Sequence, residues 1–570
     1  MRLRNIFHRR IKSRSTTGID INSFPSPALT PAPVDKTAHL PDDIIYEIFE
    51  AAAVVYPPCA LATSQDVPTL RDTDTRLGWI VLTHVCRRWR TLGLSGSLAG
   101  LWARVVCMSS RREVIAELSR RAKGHPVTID LSRFNTLDGH GLLRHYHAIL
   151  PLEVWAIHNI SRAGVLVSPG GPMLRHLKDV HLTLPDLRQV RFGGMDVPLD
   201  FNPRWELPRL RCAHLSMTLV PHTWGATLRE IHIGINTSLV PLGALHAFLR
   251  SCPLLEFLDV SVTGAGPFQG GHHFEDERDA RSGPIVLDHL QSARVVVGSD
   301  RMLSDLWRPI RHPPKISFEL SYELDKFETG SVALPNMETL LDVCQREMDH
   351  AMYDKLEVDI PRTSGIGRFD MRVRLSSSST ETMCELSFPT DNTTRLTALS
   401  ILPAFIPHAS FHITTLALTS LAASTVSIDL NTLGTLLRAL GSVTVLELKA
   451  LDIWSVASHI LVLRQAKLEP VLPSLRTLVL SSVSLIPGAF KLSDDPEVHR
   501  ERTRQWWDTI ASALAARKYA CGVGGIRSLK LEGCWTGRRG WSESEDWWGM
   551  ENLTGRKLVA ELFDRRVWED

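Results

Sequence analysis

From Leu40 onward the apolar residues fall into two kinds of spacing, and each kind predicts an element. Ile44, Ile45, Ile48, Phe49 and Ala52 recur at helical intervals behind Pro41, which suits a first helical position, so a helix is predicted over 41–54. Pro57, Pro58 and Pro68 among polar residues make 56–76 a loop. A second helix is predicted from Leu77, with Leu77, Ile80, Val81, Val85, Trp89 and Leu92 on one face, Arg87, Arg88 and Arg90 mainly outside it, and Gly93 and Gly96 closing it. A short third helix carries Leu98, Leu101, Trp102 and Val105, and the three together enclose a small core around Trp89 and Trp102. Ser110 and Glu113 have capping-box spacing ahead of a helix through Val114, Ile115, Leu118 and Ala122. Gly124 and Pro126 stop that helix, and Val127, Ile129 and Leu131 alternate as a half-buried strand does.

From residue 170 onward a different unit recurs, an apolar triad at the first, fourth and sixth positions of a short window. The copies are Leu177, Val180 and Leu182; Leu187, Val190 and Phe192; Leu228, Ile231 and Ile233; Leu255, Leu258 and Val260; Leu396, Leu399 and Ile401; Ile413, Leu416 and Leu418; Val443, Leu446 and Leu448; Leu475, Leu478 and Leu480; and Ile526, Leu529 and Leu531. The last two residues of a triad lie two apart and share one face of a strand, while the first packs from the turn before it. No single unit can bury that face, whereas parallel stacking can, with helical pieces such as Leu242 to Leu249 and Leu433 to Leu440 covering it. The copies lie roughly 10 to 50 residues apart, against the 20 to 29 of regular leucine-rich repeats, so the expected architecture is a degenerate, curved repeat solenoid with insertions. Two interruptions stand out. Residues 270–283 are almost devoid of apolar side chains and read as a mobile surface loop. Residues 369–388 alternate, turn through serines and alternate back, an antiparallel hairpin that divides the repeats into two blocks.

Composition narrows the function classes. The chain has 570 residues, long enough for several domains or one repeat array, and no apolar run approaches the roughly 18 residues of a membrane span. Arg2, Arg4, Arg9, Arg10, Lys12 and Arg14 precede the first acid, and beyond residue 34 the balance is 58 basic against 61 acidic residues. That slight negative excess argues against a phosphate-tracking surface, so neither nucleic acid nor membrane is expected as a partner. The basic, proline-bearing segment 1–38 reads first as a solvated, disordered tail; an import signal or a mitochondrial presequence also suits its composition. Nine scattered cysteines with no C-x-x-C pair argue against a disulfide framework and a cysteine zinc site, which fits a reducing compartment, cytoplasm or nucleus. Nucleophile-elbow, zincin, P-loop and complete dinucleotide motifs are all missing, so no enzyme and no cofactor is expected. His272, His273, Glu275, Asp276 and Glu277 could ligate a metal in principle, but a solvated charged loop is the favoured reading and no metal ligand is assigned.

Seven of the fifteen tryptophans, Trp506, Trp507, Trp535, Trp541, Trp547, Trp548 and Trp568, crowd the C-terminal end. Closing the last open core layer of a repeat array is their first reading, over 536–570 as a cap; substrate recognition by Trp535, Trp541, Trp547 and Trp548 beside Arg538 and Arg539 is the second.

One constellation is more specific. Leu40-Pro41-Asp42-Asp43-Ile44-Ile45-Tyr46-Glu47-Ile48-Phe49, then Val85-Cys86-Arg87-Arg88-Trp89-Arg90, then Leu101-Trp102 occur in order. The segment 39–107 resembles the F-box, in the F-box-like form common in mushroom-type fungi. Asp43 stands where that family commonly has Glu, and the loop of 56–76 is longer than in compact members. The resemblance implies a helical module over 39–110 that docks on a Skp-family adaptor and through it on a cullin. Leu40, Pro41, Ile44, Ile48 and Phe49 would make the contact, with Trp89 and Trp102 supporting it from the core. The expected whole is therefore an α/β protein, a three-helix F-box module followed over 111–535 by an irregular leucine-rich-repeat solenoid of short parallel strands with covering helices. Its implied role is the substrate-recognition subunit of a Skp-cullin-F-box ubiquitin ligase, the repeats binding an unknown protein substrate. A protein-interaction scaffold without a ligase role is the alternative.

Overall fold

A computed structural model describes residues 37–58, 75–131, 146–168, 180–192, 204–217, 221–263, 283–322, 335–359, 369–419, 430–449, 471–481, parts of 501–519 and 526–532, with isolated omissions inside these spans and residues 174 and 177 between them. The basic tail, the charged loop and the cap expected over 536–570 lie outside the described residues. The chain divides into two compact units, Met1–Leu101 and Trp102–Asp570.

In the first unit, α1 (Asp42–Val55) forms where the helical spacing places it. The second predicted helix is instead two pieces, a 3-10 segment over Thr75–His84 and α2 (Arg87–Gly93), parted by an extended Cys86. Gly78 bends the first piece at φ +52°, and a Cβ there would meet the Tyr56 carbonyl at 2.3 Å. The bend lets the Trp79 N–H donate to that carbonyl at 2.9 Å, tying the segment to the end of α1. One helical periodicity cannot run through two such breaks, so Val81 and Val85 are exposed while Trp79, Ile80, Trp89 and Leu92 are buried. The core is centred on Phe49, whose ring lies 6.1 Å from Trp79 and 5.8 Å from Trp89.

The helix α3 (Ala99–Arg104) carries the boundary between the units. Trp102 falls in the second unit, with the Arg121 guanidinium 4.5 Å over its ring. Then α4 (Arg112–Arg121) opens from Arg111, whose side chain makes no cap, and Ser110 of the expected capping box lies outside the described residues. Ser109 Oγ accepts from the Arg111 N–H at 3.2 Å, and Glu117 binds Arg120 and Arg121, bonds that hold its carboxyl down at about 2 against burial. Lys123 and Gly124, both at positive φ, turn the chain into the first strand.

The strands are β1 (Val127–Asp130), β2 (Ala163–Ser168), β3 (Leu182–Thr183), β4 (Gln189–Phe192), β5 (Trp205–Glu206), β6 (Cys212–Met217), β7 (Glu230–Asn236), β8 (Phe257–Thr263), β9 (Ile285–Val286), β10 (Ser292–Val297), β11 (Ile310–Arg311), β12 (Ser317–Tyr322), β13 (Lys355–Asp359), β14 (Phe369–Ser376), β15 (Met383–Thr390), β16 (Thr415–Thr419), β17 (Val445–Lys449), β18 (Thr477–Ser481) and β19 (Ser528–Glu532). Between them run α5 (Tyr146–Asn159), α6 (Leu242–Arg250), α7 (Asp300–Trp307), α8 (Met337–Met348), α9 (Asn392–Phe405), α10 (Pro407–His412) and α11 (Leu430–Ala439). The second unit is thus an α/β structure around a 15-stranded sheet in the order β1-β2-β4-β6-β7-β8-β10-β12-β15-β14-β13-β16-β17-β18-β19. All neighbours are parallel except that β14 runs antiparallel to both β13 and β15.

The register explains the triads. Leu166, Val190, Ala213, Ile231, Leu258, Ala293 and Phe318 are successive partners across seven strands, and Leu356, Leu416, Leu446, Leu478 and Leu529 continue the row beyond the hairpin. A second row two residues on runs from Leu215 through Ile233, Val260, Val295 and Leu320. The first residue of each triad is held by a repeated tight turn: the amides of Leu187, Leu210, Leu228, Leu255, Leu290, Val443 and Leu475 each donate to the carbonyl three residues earlier. Copies whose second apolar position is Ala213 or Ala293 escape the sequence pattern because alanine does not stand out as apolar in a window.

Two predicted triads are corrected. Val180 is exposed, and Leu182 belongs to a separate two-stranded pair of β3 with β5. Leu396, Leu399 and Ile401 lie in α9, where Ala398, Leu399 and Leu402 are buried at helical spacing. After β15 the chain must pass two strands to reach its next position, and three strand spacings of about 4.8 Å are spanned by a helix rising about 1.5 Å per residue. The 369–388 segment does form the antiparallel pair β14–β15, which lies inside the sheet and keeps it continuous.

Between α7 and α8 a buried carboxylate is held through one oxygen, Glu347 Oε1, while its Oε2 is buried without a hydrogen bond among the described residues. Glu347, 1% exposed, meets His312 Nε2 at 2.9 Å and Arg346 Nη2 at 2.7 Å, and accepts from Trp307 Nε1 at 2.9 Å. Burial pushes its pKa up, but the His312 bond, the Arg346 charge and the remaining bonds outweigh it and leave the carboxyl below its ordinary value. Glu347→Ala is expected to cost about 3–5 kcal/mol in urea denaturation at neutral pH. A depressed folded pKa means the contribution is complete above the ordinary value of 4.5 and lost as pH falls through the folded value, so the gap between wild type and variant should narrow in acid.

Candidate functional site

Two surfaces present functional side chains, one on each unit. On the first, the start of α1 is fastened by the Arg-Trp pair of α2. The Arg88 guanidinium donates to the carbonyls of Thr37 and Leu40 and to the Asp42 carboxylate, and Trp89 Nε1 donates to Thr37 Oγ1 at 2.9 Å. These bonds fix the Leu40-Pro41 turn, so the two sequence elements are held together by direct hydrogen bonding.

The fastening leaves Pro41 and Ile44 exposed, Ile44 at 38%, and Leu40 and Ile48 half-buried. Val54, Val55 and Tyr56 extend the apolar surface at the end of the helix, and sequence reasoning did not single them out. Phe49, expected in the partner contact, is 0% exposed and is corrected to a core residue. It shares the inward face with Ile45 four residues earlier, while Ile44 and Ile48 occupy the adjacent face. Trp89 is buried in the core of the first unit, and Trp102 is buried within the second unit.

On the second unit, the residues between the two apolar rows point to the other sheet face. Their row reads Arg191, His214, His232, Asp259, Arg294, Glu319, Glu385, Arg374, Glu357, Ala417, Glu447, Val479 and Lys530. Opposite charges meet in register, Arg294 with Glu319 at 3.2 Å and Arg374 with Glu385 at 2.7 Å and Glu357 at 3.6 Å. Lys355 and Lys449 add bonds to Glu447 at 3.5 and 3.2 Å. Cross-strand pairing of this kind offsets repulsion along a partly exposed polar face, and the arginines beside Glu319 and Glu385 compensate for those two carboxylates being register partners.

The row changes chemistry at β6–β8. Cys212 pairs in register with Glu230 and His214 with His232, four polar donors at the corners of one square. The ligand atoms of Cys212, His214 and Glu230 lie within 4.8 Å of one another. The His214 and His232 rings stack at 4.1 Å, and His232 lies between two carboxylates, Nδ1 3.0 Å from Asp259 and Nε2 2.8 Å from Glu230. Burial, with the Glu230 charge beside it, pushes the Cys212 thiol up to about 12. Burial, then the neighbouring His232 and Arg191, lowers His214. The bond to His232 lowers Glu230 against its burial. The signal for this cluster was present as Cys212-Ala-His214 and Glu230-Ile-His232, two same-face pairs, but only the register sets them side by side.

The tryptophans proposed for substrate, Trp535, Trp541, Trp547 and Trp548, lie outside the described residues, as do His272, His273, Glu275, Asp276 and Glu277. No helix among the described residues is long and apolar enough to cross a membrane. No family model and no curated protein matches the chain. A solved structure titled "Crystal structure of TLR13-ssRNA13 complex" aligns with 62% of this chain at 12% identity and a TM-score of 0.22, and the chain covers 40% of that structure's length. A likeness of that size bears on neither fold nor partner.

Arg374→Ala removes the cation shared by Glu357 and Glu385 in the middle of the polar row. The expected loss is about 1 kcal/mol or less, because the pairs are partly exposed. Denaturation at low and at high salt should show the difference shrinking as salt screens the carboxylates.

Proposed function

We propose that the protein is the substrate-recognition subunit of a Skp-cullin-F-box ubiquitin ligase. The observation that carries the reading is the state of α1. Its Leu40-Pro41 turn is clasped by Arg88 and Trp89, and the same helix leaves Ile44 exposed and Ile48 half-buried beside Val54, Val55 and Tyr56. An apolar helix face left open in a folded module is suited to a partner, and the Leu-Pro, Arg-Trp and Leu-Trp elements favour a Skp-family adaptor as that partner. In this reading the second unit is an irregular leucine-rich-repeat array, a finer description supported by its recurring turn-and-strand unit. Its polar face, with charges set in fixed register, offers a surface for a protein substrate.

The chemistry belongs to the ligase partners. The protein contributes proximity: adaptor on one unit and substrate on the other raise the effective concentration of a substrate lysine at the conjugating enzyme. Cys86, Cys212, Cys252, Cys344 and Cys384 are free thiols, which suits the proposed cytoplasmic or nuclear setting.

The test is capture of a purified Skp-family adaptor by the full chain, comparing wild type with an Ile44→Asp, Ile48→Asp double variant. A Val286→Asp variant, an exposed apolar position of the second unit, controls for added charge. Burying two carboxylates in the contact is expected to weaken capture at least about tenfold, with Val286→Asp and the circular dichroism of all three unchanged. Failure of wild type to capture the adaptor, or equal capture by the double variant, overturns the reading and favours a scaffold without a ligase role.

A further inference from the structure

We propose that Cys212, His214 and Glu230 form a zinc-binding site on the polar face of the sheet, with His232 and Asp259 as its supporting shell. The arrangement is set by backbone register. Cys212 and His214 lie two apart on β6, Glu230 and His232 two apart on β7, and the strands pair Cys212 with Glu230 and His214 with His232. All four side chains therefore leave the sheet on one face, and their spacing is fixed by the ladder that buries the opposite face.

Sulfur, nitrogen and oxygen atoms of the first three already lie within 4.8 Å of one another. A tetrahedral zinc ion with bonds of about 2.0–2.3 Å places its ligand atoms roughly 3.3–3.6 Å apart, so side-chain rotation of about 1 Å closes the set. Cys212 binds as the thiolate, its proton passing to the buffer. Three protein ligands leave one tetrahedral position for water or a partner's side chain, and the partly exposed Glu230 gives the ion a path from solvent.

The surroundings suit a cation of this kind. Asp259 on β8 meets His232 Nδ1 at 3.0 Å, and His232 Nε2 meets Glu230 at 2.8 Å, so the carboxylate ligand is itself held by a hydrogen-bonded histidine. Such outer partners orient ligands and tune their basicity. Charges balance: a thiolate and a carboxylate neutralise Zn²⁺, and Asp259 lies in register with Arg294 on β10. Elsewhere along the same row, Glu319, Glu357, Glu385 and Glu447 meet arginine or lysine. Here the partners are sulfur and imidazole, a donor set that favours zinc over magnesium or calcium.

The site is independent of the adaptor reading. Full-length protein freed of metal is dialysed against Zn²⁺ and its metal content measured, beside Cys212→Ser and Glu230→Gln, two near-isosteric variants checked for folding by circular dichroism. Wild type is expected to retain one zinc more per chain than Cys212→Ser, and Glu230→Gln and Asp259→Asn to weaken retention about 10- to 100-fold. With Co²⁺ in place of Zn²⁺, wild type should show a thiolate-to-metal absorption band that Cys212→Ser lacks, a readout that surface histidines cannot produce. Equal zinc retention by wild type and folded Cys212→Ser, or a cobalt band unchanged by that substitution, overturns the proposal.

Discussion

The larger unit depends on an apolar row that no strand can cover by itself. Each strand of four to eight residues presents two or three apolar side chains on one face, too few to offset the entropy of ordering the segment. Parallel neighbours in constant register turn these short faces into continuous rows from Leu166 to Phe318 and from Leu356 to Leu529. Register has to be kept at each step, because a slip of one residue would send the leucines to the polar face and the charges inward. The repeated turn before the strands keeps it, since the amide three residues after each turn carbonyl sets where the next strand begins.

The same constraint creates the chemistry of the opposite face. Once the apolar rows are in register, the residues between them are in register too, and a polar side chain on one strand meets a defined partner on the next. Arg374 finds Glu357 and Glu385 in this way, and Cys212 finds Glu230. The helical unit works on a smaller scale: Phe49 between Trp79 and Trp89 supplies the core, and Arg88 spends its hydrogen bonds on the turn that begins α1. A three-helix piece with one buried aromatic cluster retains apolar surface outside it, and Ile44 is part of that remainder.

The central hairpin shows how far the pattern tolerates interruption. β13, β14 and β15 enter the sheet in reverse order, with β14 antiparallel, yet Leu356, Leu375 and Cys384 keep the row intact. Reversing a strand does not change which face its alternate residues occupy, so the core continues through it. The cost is two longer crossings, and α8 and α9 make them.

What the sequence determined by itself was local. The first helix, most of the triads, the stop at Gly124 and the alternation of 369–388 were legible because helical and strand periodicities are set by residues within a turn or two of each other. The second helix was misread because the bend at Gly78 answers to the Tyr56 carbonyl, a partner over twenty residues away, and the triad at Leu396 because its helix answers to the distance between strands. Phe49 and Ile44 could be assigned to a helix from spacing, but the buried and open faces were chosen by Trp79 and Trp89, which pack on one of them. The Cys212 cluster lay wholly beyond the one-dimensional pattern. Its members are separated by up to eighteen residues, and only strand pairing, set by the apolar rows on the far side of the sheet, brings them together.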